Sequence, residues 1–354
     1  MIHLQPKSAR PLSGSVVFAV MAFLLVVARA PGQDLRVEAD AGKLITPAAD
    51  AAIEKGLAYL DASQHDDGSF ASGGYRGNVA ICGLAGLAFM AGGSTPGRGP
   101  YGENVARCLD YILVHTQESG FITAPGSASH GPMYGHGFAA LFLAECYGMS
   151  GNKEIREKLD SAVDLIVNTQ NDEGGWRYQP RRLDADISVT ICQVMALRAA
   201  RNAGIEVPME TIDKCIDYVR RSQNPDGGFM YMVSGGESGF ARSAAGVVAL
   251  HSAGVYEGPE LGKGIEYLMK FLPGDGRSDA AGSYYFYGHY YAVQAMWRQG
   301  GEPWQKWYPA IRDELVSRQR TDGSWMSPIS PEYATAMCCI VLQVPNNFLP
   351  ILQR

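Results

Sequence analysis

One residue recurs at a spacing that leaves few folds open to this chain. Gln64, Gln117, Gln170 and Gln223 stand 53 residues apart, and Gln319 falls two further periods on. Their flanks repeat with them: K-G-L-A-Y-L-D-A-S-Q-H-D-D-G-S-F begins at Lys55 and K-C-I-D-Y-V-R-R-S-Q-N-P-D-G-G-F at Lys214. Further copies end at Trp176 and Trp325. The second copy is shortened and ends at Phe121, and the fifth keeps the lead-in from Lys263 but carries Leu272 in place of glutamine. Six copies at this period imply a repeat architecture, because such a unit cannot bury its apolar face alone.

Each unit reads as a helical hairpin. Ahead of the glutamine the pattern is amphipathic: Ile212, Cys215, Ile216 and Val219 fall at i, i+3, i+4 and i+7, with charges between them. After the G-x-aromatic turn the chain is apolar on almost every side, as from Ile187 to Ala200. A helix apolar all round is buried all round, so the first helix of each pair faces solvent and the second lies inside. Thr46 and Pro47 start the first hairpin, a capping hydroxyl followed by a residue that needs no amide donor. An open solenoid ends in polar caps, whereas the last inner segment, Y-A-T-A-M-C-C-I-V-L-Q-V, is as apolar as the central ones. The prediction is an all-α fold, an (α/α)6 toroid over residues 47–354 whose sixth hairpin closes on its first.

The first thirty residues read differently. Lys7, Arg10 and Arg29 are the charges there, an unbroken apolar run spans Val16 to Ala28, and Ala28-Arg29-Ala30 ends it. This is the pattern of an export signal, or of an uncleaved N-terminal anchor, since Pro31 would follow the cleavage point. Residues 31–46 are then a linker, and the domain is expected outside the cytoplasm, in the periplasm or cell envelope. Beyond residue 30, 27 of the 30 basic residues face all 36 acidic ones, a poor surface for nucleic acid, whose binding rests on neutralising phosphates. The seven cysteines (82, 108, 146, 192, 215, 338 and 339) are odd in number and lie in apolar runs; they read as small buried hydrophobes.

The run of Lys or Arg, small residue, aromatic, aliphatic, three residues, Gln and then G-x-Trp/Phe resembles the "QW" repeat of triterpene cyclases. It is also similar to the prenyltransferase and squalene-oxidase repeat, over nearly everything from residue 47 onward. The resemblance implies the α/α toroid of the terpenoid cyclases and protein prenyltransferases. It leaves the glutamines and tryptophans structural and puts any activity in a central cavity near the residues that open the inner helices. L-D-A-D-I-S-V-T, from Leu183 to Thr190, resembles the D-x-D-D-T-A motif with which class II terpene cyclases protonate an alkene or epoxide. Asp184 matches the first acid and Asp186 the middle one, the family's proton donor. Ile187 stands in place of the last acid and Ser188 in place of the threonine. Asp186 equally suits the N-cap of a helix starting at Ile187. Helix dipole and Arg76, which aligns with it by repeat, are expected to lower its pKa at least as strongly as burial raises it.

M-Y-G-H-G-F-A, from Met133, and F-Y-G-H-Y-Y-A, from Phe286, are near copies in repeats two and five. They place His136 and His289 on opposite sides of a six-fold ring. These histidines are expected either as structural partners where helices meet or as polar handles in the cavity, with His136 a partner for the acid. Tyr134, Tyr178, Tyr287, Tyr290 and Tyr333 supply aromatic faces, which stabilise cations by roughly 0.5–2 kcal/mol each, stack on sugars, or simply fill a core. Arg76 and Arg242 could hold an anion at the same end. No cofactor is expected. Histidines across a ring cannot share one tetrahedral ion, so no metal is expected either. The ligand classes left open are a polyisoprenoid, with peripheral membrane contact, and a glycan. A class II cyclase-like isomerase, a non-catalytic envelope scaffold and a polysaccharide lyase all remain readings of these residues.

Overall fold

The computed structural model describes Met1, residues 42–274 and residues 284–353. The expected export signal beyond Met1 and residues 31–41 of the linker lie outside the described residues. Among the described residues twelve α-helices follow one another as α1 (Pro47–Ser63), α2 (Val79–Ala91), α3 (Gly102–Val114), α4 (Pro132–Ser150), α5 (Lys153–Thr169), α6 (Ile187–Asn202), α7 (Met209–Arg221), α8 (Phe240–Ala253), α9 (Pro259–Met269), α10 (Tyr285–Gln299), α11 (Gly301–Arg318) and α12 (Pro331–Gln343). Odd-numbered helices are the outer members of six hairpins and even-numbered ones the inner members. The division follows composition. In α2 every residue but Ala80 is buried, whereas α7 buries only Thr211, Ile212, Cys215, Tyr218 and Val219. None of the described helices is long and apolar enough to cross a membrane.

The inner helices pack in the cycle α2, α4, α6, α8, α10, α12 and back to α2, and α12 also packs on α1. The ring is therefore closed, as the uncapped last segment predicted. Thr46 Oγ1 accepts from the Ala49 amide at 3.2 Å and Pro47 opens α1.

The repeating glutamine is the joint between neighbouring hairpins. The Gln170 side-chain amide donates to the Gly174 carbonyl at 3.0 Å, within its own turn, and to the Thr211 carbonyl at 2.9 Å, in the first turn of the next outer helix. Gln64 joins Gly68 and Asn104, Gln223 joins Gly227 and Glu260, and Gln319 joins Gly323 and Ala52 in the same way. The last of these spans the closure from hairpin six to hairpin one. The glycine four residues on is required for two reasons. Gly174 has φ +99°, and a β-carbon there would lie 2.1 Å from the Lys214 carbonyl oxygen. Trp176 and Trp325 lock the turn by donating their indole N–H to Ile166 and Leu315 at 2.7 and 2.8 Å. The seven cysteines are all buried.

Candidate active site

The turns that carry these glycines and aromatics lie where the inner helices begin, so whatever follows the aromatic is delivered to one end of the ring. In repeat three Trp176 is followed by Arg177 and Tyr178; in repeat four Phe229 is followed by Met230 and Tyr231. Both loops converge on the start of α6. The Tyr231 carbonyl accepts from the Ile187 amide at 3.1 Å, and the Tyr178 carbonyl from the Met133 amide at the start of α4, also at 3.1 Å.

Asp186 sits beneath these loops, fully buried. Its Oδ1 accepts from the Val189 amide at 2.9 Å, the N-cap bond expected of an Asp at this position. Its Oδ2 accepts from the Tyr231 hydroxyl at 3.2 Å and lies 3.8 Å from Arg177 Nε. The Tyr231 hydroxyl also bonds the Tyr178 hydroxyl, and Arg177 pairs through Nη1 with Asp184, which is half-exposed. The guanidinium stands 5.1 Å from the Tyr178 ring centre and 5.9 Å from that of Tyr231. Burial pushes the Asp186 carboxyl up to about 6, against the pull of the Val189 amide, the Tyr231 hydroxyl and Arg177. The sequence expectation of a balance tipped toward lowering is corrected on two points. Burial wins, and the cation at hand is Arg177, because Arg76 is exposed and pairs with Asp67 at 3.6 Å.

Below this acid the tyrosines meet across the ring axis. Tyr134 of α4 stands edge-on to Tyr287 of α10 with ring centres 6.3 Å apart, and Phe138 and Tyr290 repeat the contact at 6.0 Å. The Tyr287 hydroxyl donates to the Ser188 carbonyl at 2.6 Å, and the Tyr291 hydroxyl lies 3.4 Å from Cys192 Sγ. Tyr333 comes within electrostatic reach of Cys192 and Tyr290, and burial raises its hydroxyl pKa. Space opens on the solvent side, in a recess of about 230 Å³ lined by Arg177, Tyr178, Gln179, Arg181, Leu183 and Asp184.

Of the residues singled out in the sequence, Asp184, Asp186, Tyr134, Tyr178 and Tyr287 come together at this end, with Tyr290 and Tyr333 beneath them. The histidines and arginines go elsewhere. His136 is fully buried, accepting at Nδ1 from the Ile122 amide (3.2 Å) and donating at Nε2 to the Ala162 carbonyl (3.3 Å); burial pushes it down to about 4. In repeats three, four and six Thr190, Ser243 and Thr335 accept the same turn amide, so His136 holds a structural post of the repeat. His289 is buried among Phe240, Tyr285 and Trp307, with neither ring nitrogen partnered among the described residues, and burial, then Arg318, pushes it down to about 3. Arg242 binds the Phe229 and Glu237 carbonyls at 3.1 and 2.5 Å. Arg177 and Tyr231 are the site residues that the sequence reading missed. The signal for them was the register itself, since Tyr178 and Tyr231 both stand two places after the turn aromatic. Among the described residues no three His, Cys, Asp or Glu side chains converge as metal ligands.

Comparison with known proteins agrees with this geometry. The squalene-hopene cyclase C-terminal domain family matches residues 136–281, and the prenyltransferase alpha-alpha toroid domain family matches residues 43–177. No curated protein matches the chain. Among solved structures, a variant of type II terpene cyclase MstE from Scytonema bound to merosterolic acid A is similar at a TM-score of 0.60 and 13% identity, covering 86% of this chain and 99% of that one. Another variant, bound to geranylgeranyl dihydroxybenzoate, gives 0.58 and 13% over 87% and 99%. An inactive variant of α-1,6-mannanase GH76A of Salegentibacter sp. HEL1_6, bound to α-1,6-mannotriose, gives 0.63 and 9% over 84% and 99%. At these identities the solved structures speak for the fold alone. Both family matches fall on the repeats described above, and the chain carries the α/α-toroid fold that the matched prenyltransferase domain and the type II terpene cyclase share.

Proposed function

We propose that the protein binds an isoprenoid-bearing small molecule at the Asp186 end of the toroid and that Asp186 is the acid that protonates it. One observation carries this reading. A fully buried carboxyl keeps its proton to about pH 6, with a tyrosine hydroxyl on one oxygen and an arginine 3.8 Å away. In the step we envisage, the Asp186 proton passes to an alkene carbon or epoxide oxygen of the ligand. An alkene's π pair forms the new C–H bond and leaves a carbocation on the neighbouring carbon; an epoxide's oxygen lone pair forms the new O–H bond, and a ring C–O bond then breaks, its electron pair staying on oxygen and the carbocation on carbon. Arg177 and the Tyr231 hydroxyl hold the resulting carboxylate, and the faces of Tyr134, Tyr178 and Tyr287 stabilise the cation. The squalene-hopene cyclase match and the similarity to a type II terpene cyclase solved with a geranylgeranyl compound support the reading.

The test is incubation of the full chain with squalene and with geranylgeranyl-substituted phenols, followed by mass spectrometry. Wild type should convert one of them. Asp186→Asn should keep the fold and the ligand but lose turnover. Equal turnover by Asp186→Asn would move the acid elsewhere.

A second reading, a non-catalytic glycan site, draws on the recess itself. Arg177, Gln179, Arg181 and Asp184 offer polar edges beside the Tyr178 ring, and the solved mannanase holds a mannotriose on the same fold. Calorimetric titration with α-1,6-mannotriose separates the two. Saturable sugar binding without any polyprene turnover would favour the glycan. On either reading we infer an exported protein, and a reporter enzyme active only outside the cytoplasm, fused after residue 46, should be active in cells.

A further inference from the structure

A buried charge is tolerated when a counter-charge or full hydrogen bonding compensates it, and at the end of the toroid away from Asp186 the guanidinium of Arg298 departs from that. Arg298, on the last turn of α10, donates from Nη2 to the Ile351 carbonyl at 2.6 Å, while its buried Nε has no partner. Burial, and then the nearby Arg198 of α6, pushes the Arg298 guanidinium down to about 10. No ion pair among the described residues involves either arginine. Both stand near helix C-termini, whose dipoles supply about half a charge each, less than the two cations require.

The groups around them do not close the gap. Burial pushes the carboxyl of Glu145 on α4 up to about 8, against the pull of the nearby Ile351 amide, so at pH 7 it is a neutral acid. It neither neutralises the arginines nor repels an anion. Burial, and then Arg298, pushes His251 of α8 down to about 3, so it too is neutral. Glu145 Oε2, His251 Nδ1, Ser252 Oγ and Gln294 Oε1 are all buried without partners among the described residues. The turn Pro350–Leu352, packed on α6, floors this end, held by Arg298 on the Ile351 carbonyl and by the Trp297 indole on the Leu352 carbonyl at 2.9 Å.

We propose that this end of the ring, about 18 Å along α6 from Asp186, is an anion site in which Arg298 and Arg198 hold a carboxylate or phosphate of a small molecule or lipid headgroup. The site stands whether or not Asp186 reacts.

The experiment uses the full chain. Thermal melting is followed against inorganic phosphate and against acetate at ionic strength held constant with chloride, and cosedimentation against phosphatidylglycerol and phosphatidylcholine vesicles. One of the anions should raise Tm saturably. Arg198→Gln, which leaves the Ile351 bond intact, should weaken that response about tenfold or more, the loss of one charge-assisted contact. Asp186→Asn should respond as wild type does. A saturable response to free anion without vesicle binding identifies a soluble ligand, and phosphatidylglycerol binding that depends on Arg198 identifies a headgroup. No saturable response to either anion and no vesicle binding, or an Arg198→Gln response equal to wild type, overturns the site.

Discussion

At the scale of single residues, two buried carboxyls and three buried histidines pull the fold's response to pH in opposite directions. Asp186, raised from 3.8 to about 6, is protonated in the fold and ionised in the open chain between those values. Its share of the stability therefore falls as pH rises through that window, by about 1.4 kcal/mol per unit. Glu145, raised from 4.5 to about 8, extends the fall to pH 8 with the same sign. His136, His251 and His289, pushed down by burial to about 4, 3 and 3, are neutral in the fold and charged in the open chain below 6.5, so they oppose that fall at acid pH and fade above it. Tm should therefore decline only from pH 7 to pH 8, a decline that Glu145→Gln should flatten, and Asp186→Asn should steepen the climb below pH 6. A Tm that climbs from pH 7 to pH 8 would mean that Glu145 is ionised in the fold. Asp186 was legible in the sequence because a motif and a helix start coincide there. Its partners were not: Tyr231 comes from the neighbouring repeat's turn, 45 residues away, and Arg177 points at it only once the loop is folded. The paired histidines misdirect for a related reason. Burial and backbone bonding leave the same trace in a sequence as a polar handle does, and only the Ile122 and Ala162 bonds separate the two for His136.

At the scale of elements, the turn glycines separate backbone conformation from packing. Gly174 and Gly204 both have positive φ, +99° and +87°. A β-carbon would strike the Lys214 carbonyl from the first and meet nothing within 4 Å from the second. Gly204→Ala should cost only the left-handed strain, about 1–2 kcal/mol. Gly174→Ala should cost clearly more, since two helices must part. Equal losses in urea melts would show that the hairpins yield freely at that contact. The helices themselves were legible because solvent on one side and core on the other impose two different patterns on alternate segments. The weaker copies were less so. Gln117 is exposed and makes no joint, and the Lys158 ammonium takes over by donating to the Thr116 carbonyl at 2.9 Å. A lysine from the next outer helix carries no periodic mark.

At the scale of the whole molecule, closure makes a strong claim about cooperativity. In an open array the last joint is an end, free to fray without the rest. Here Gln319 donates to Ala52 at 2.8 Å and Gly323 at 2.9 Å, the same pair of bonds that Gln170 makes in the middle of the chain. Gln343 adds a bond from α12 to the Ala88 carbonyl at 3.1 Å. If the ring is mechanically closed, Gln319 is no more terminal than Gln170, and weakening either must be felt by every hairpin. Gln319→Ala and Gln170→Ala should each lower stability by about 1–3 kcal/mol, the cost of leaving buried carbonyls without a donor. Both should shift the urea midpoint without changing the slope or splitting the transition. Amide exchange in α6, half a ring from the seam, should accelerate in Gln319→Ala as much as in Gln170→Ala. A seam variant that speeds exchange only in α1, α11 and α12 and leaves the global midpoint in place would mean that the sixth hairpin rests against the first without completing a cooperative ring.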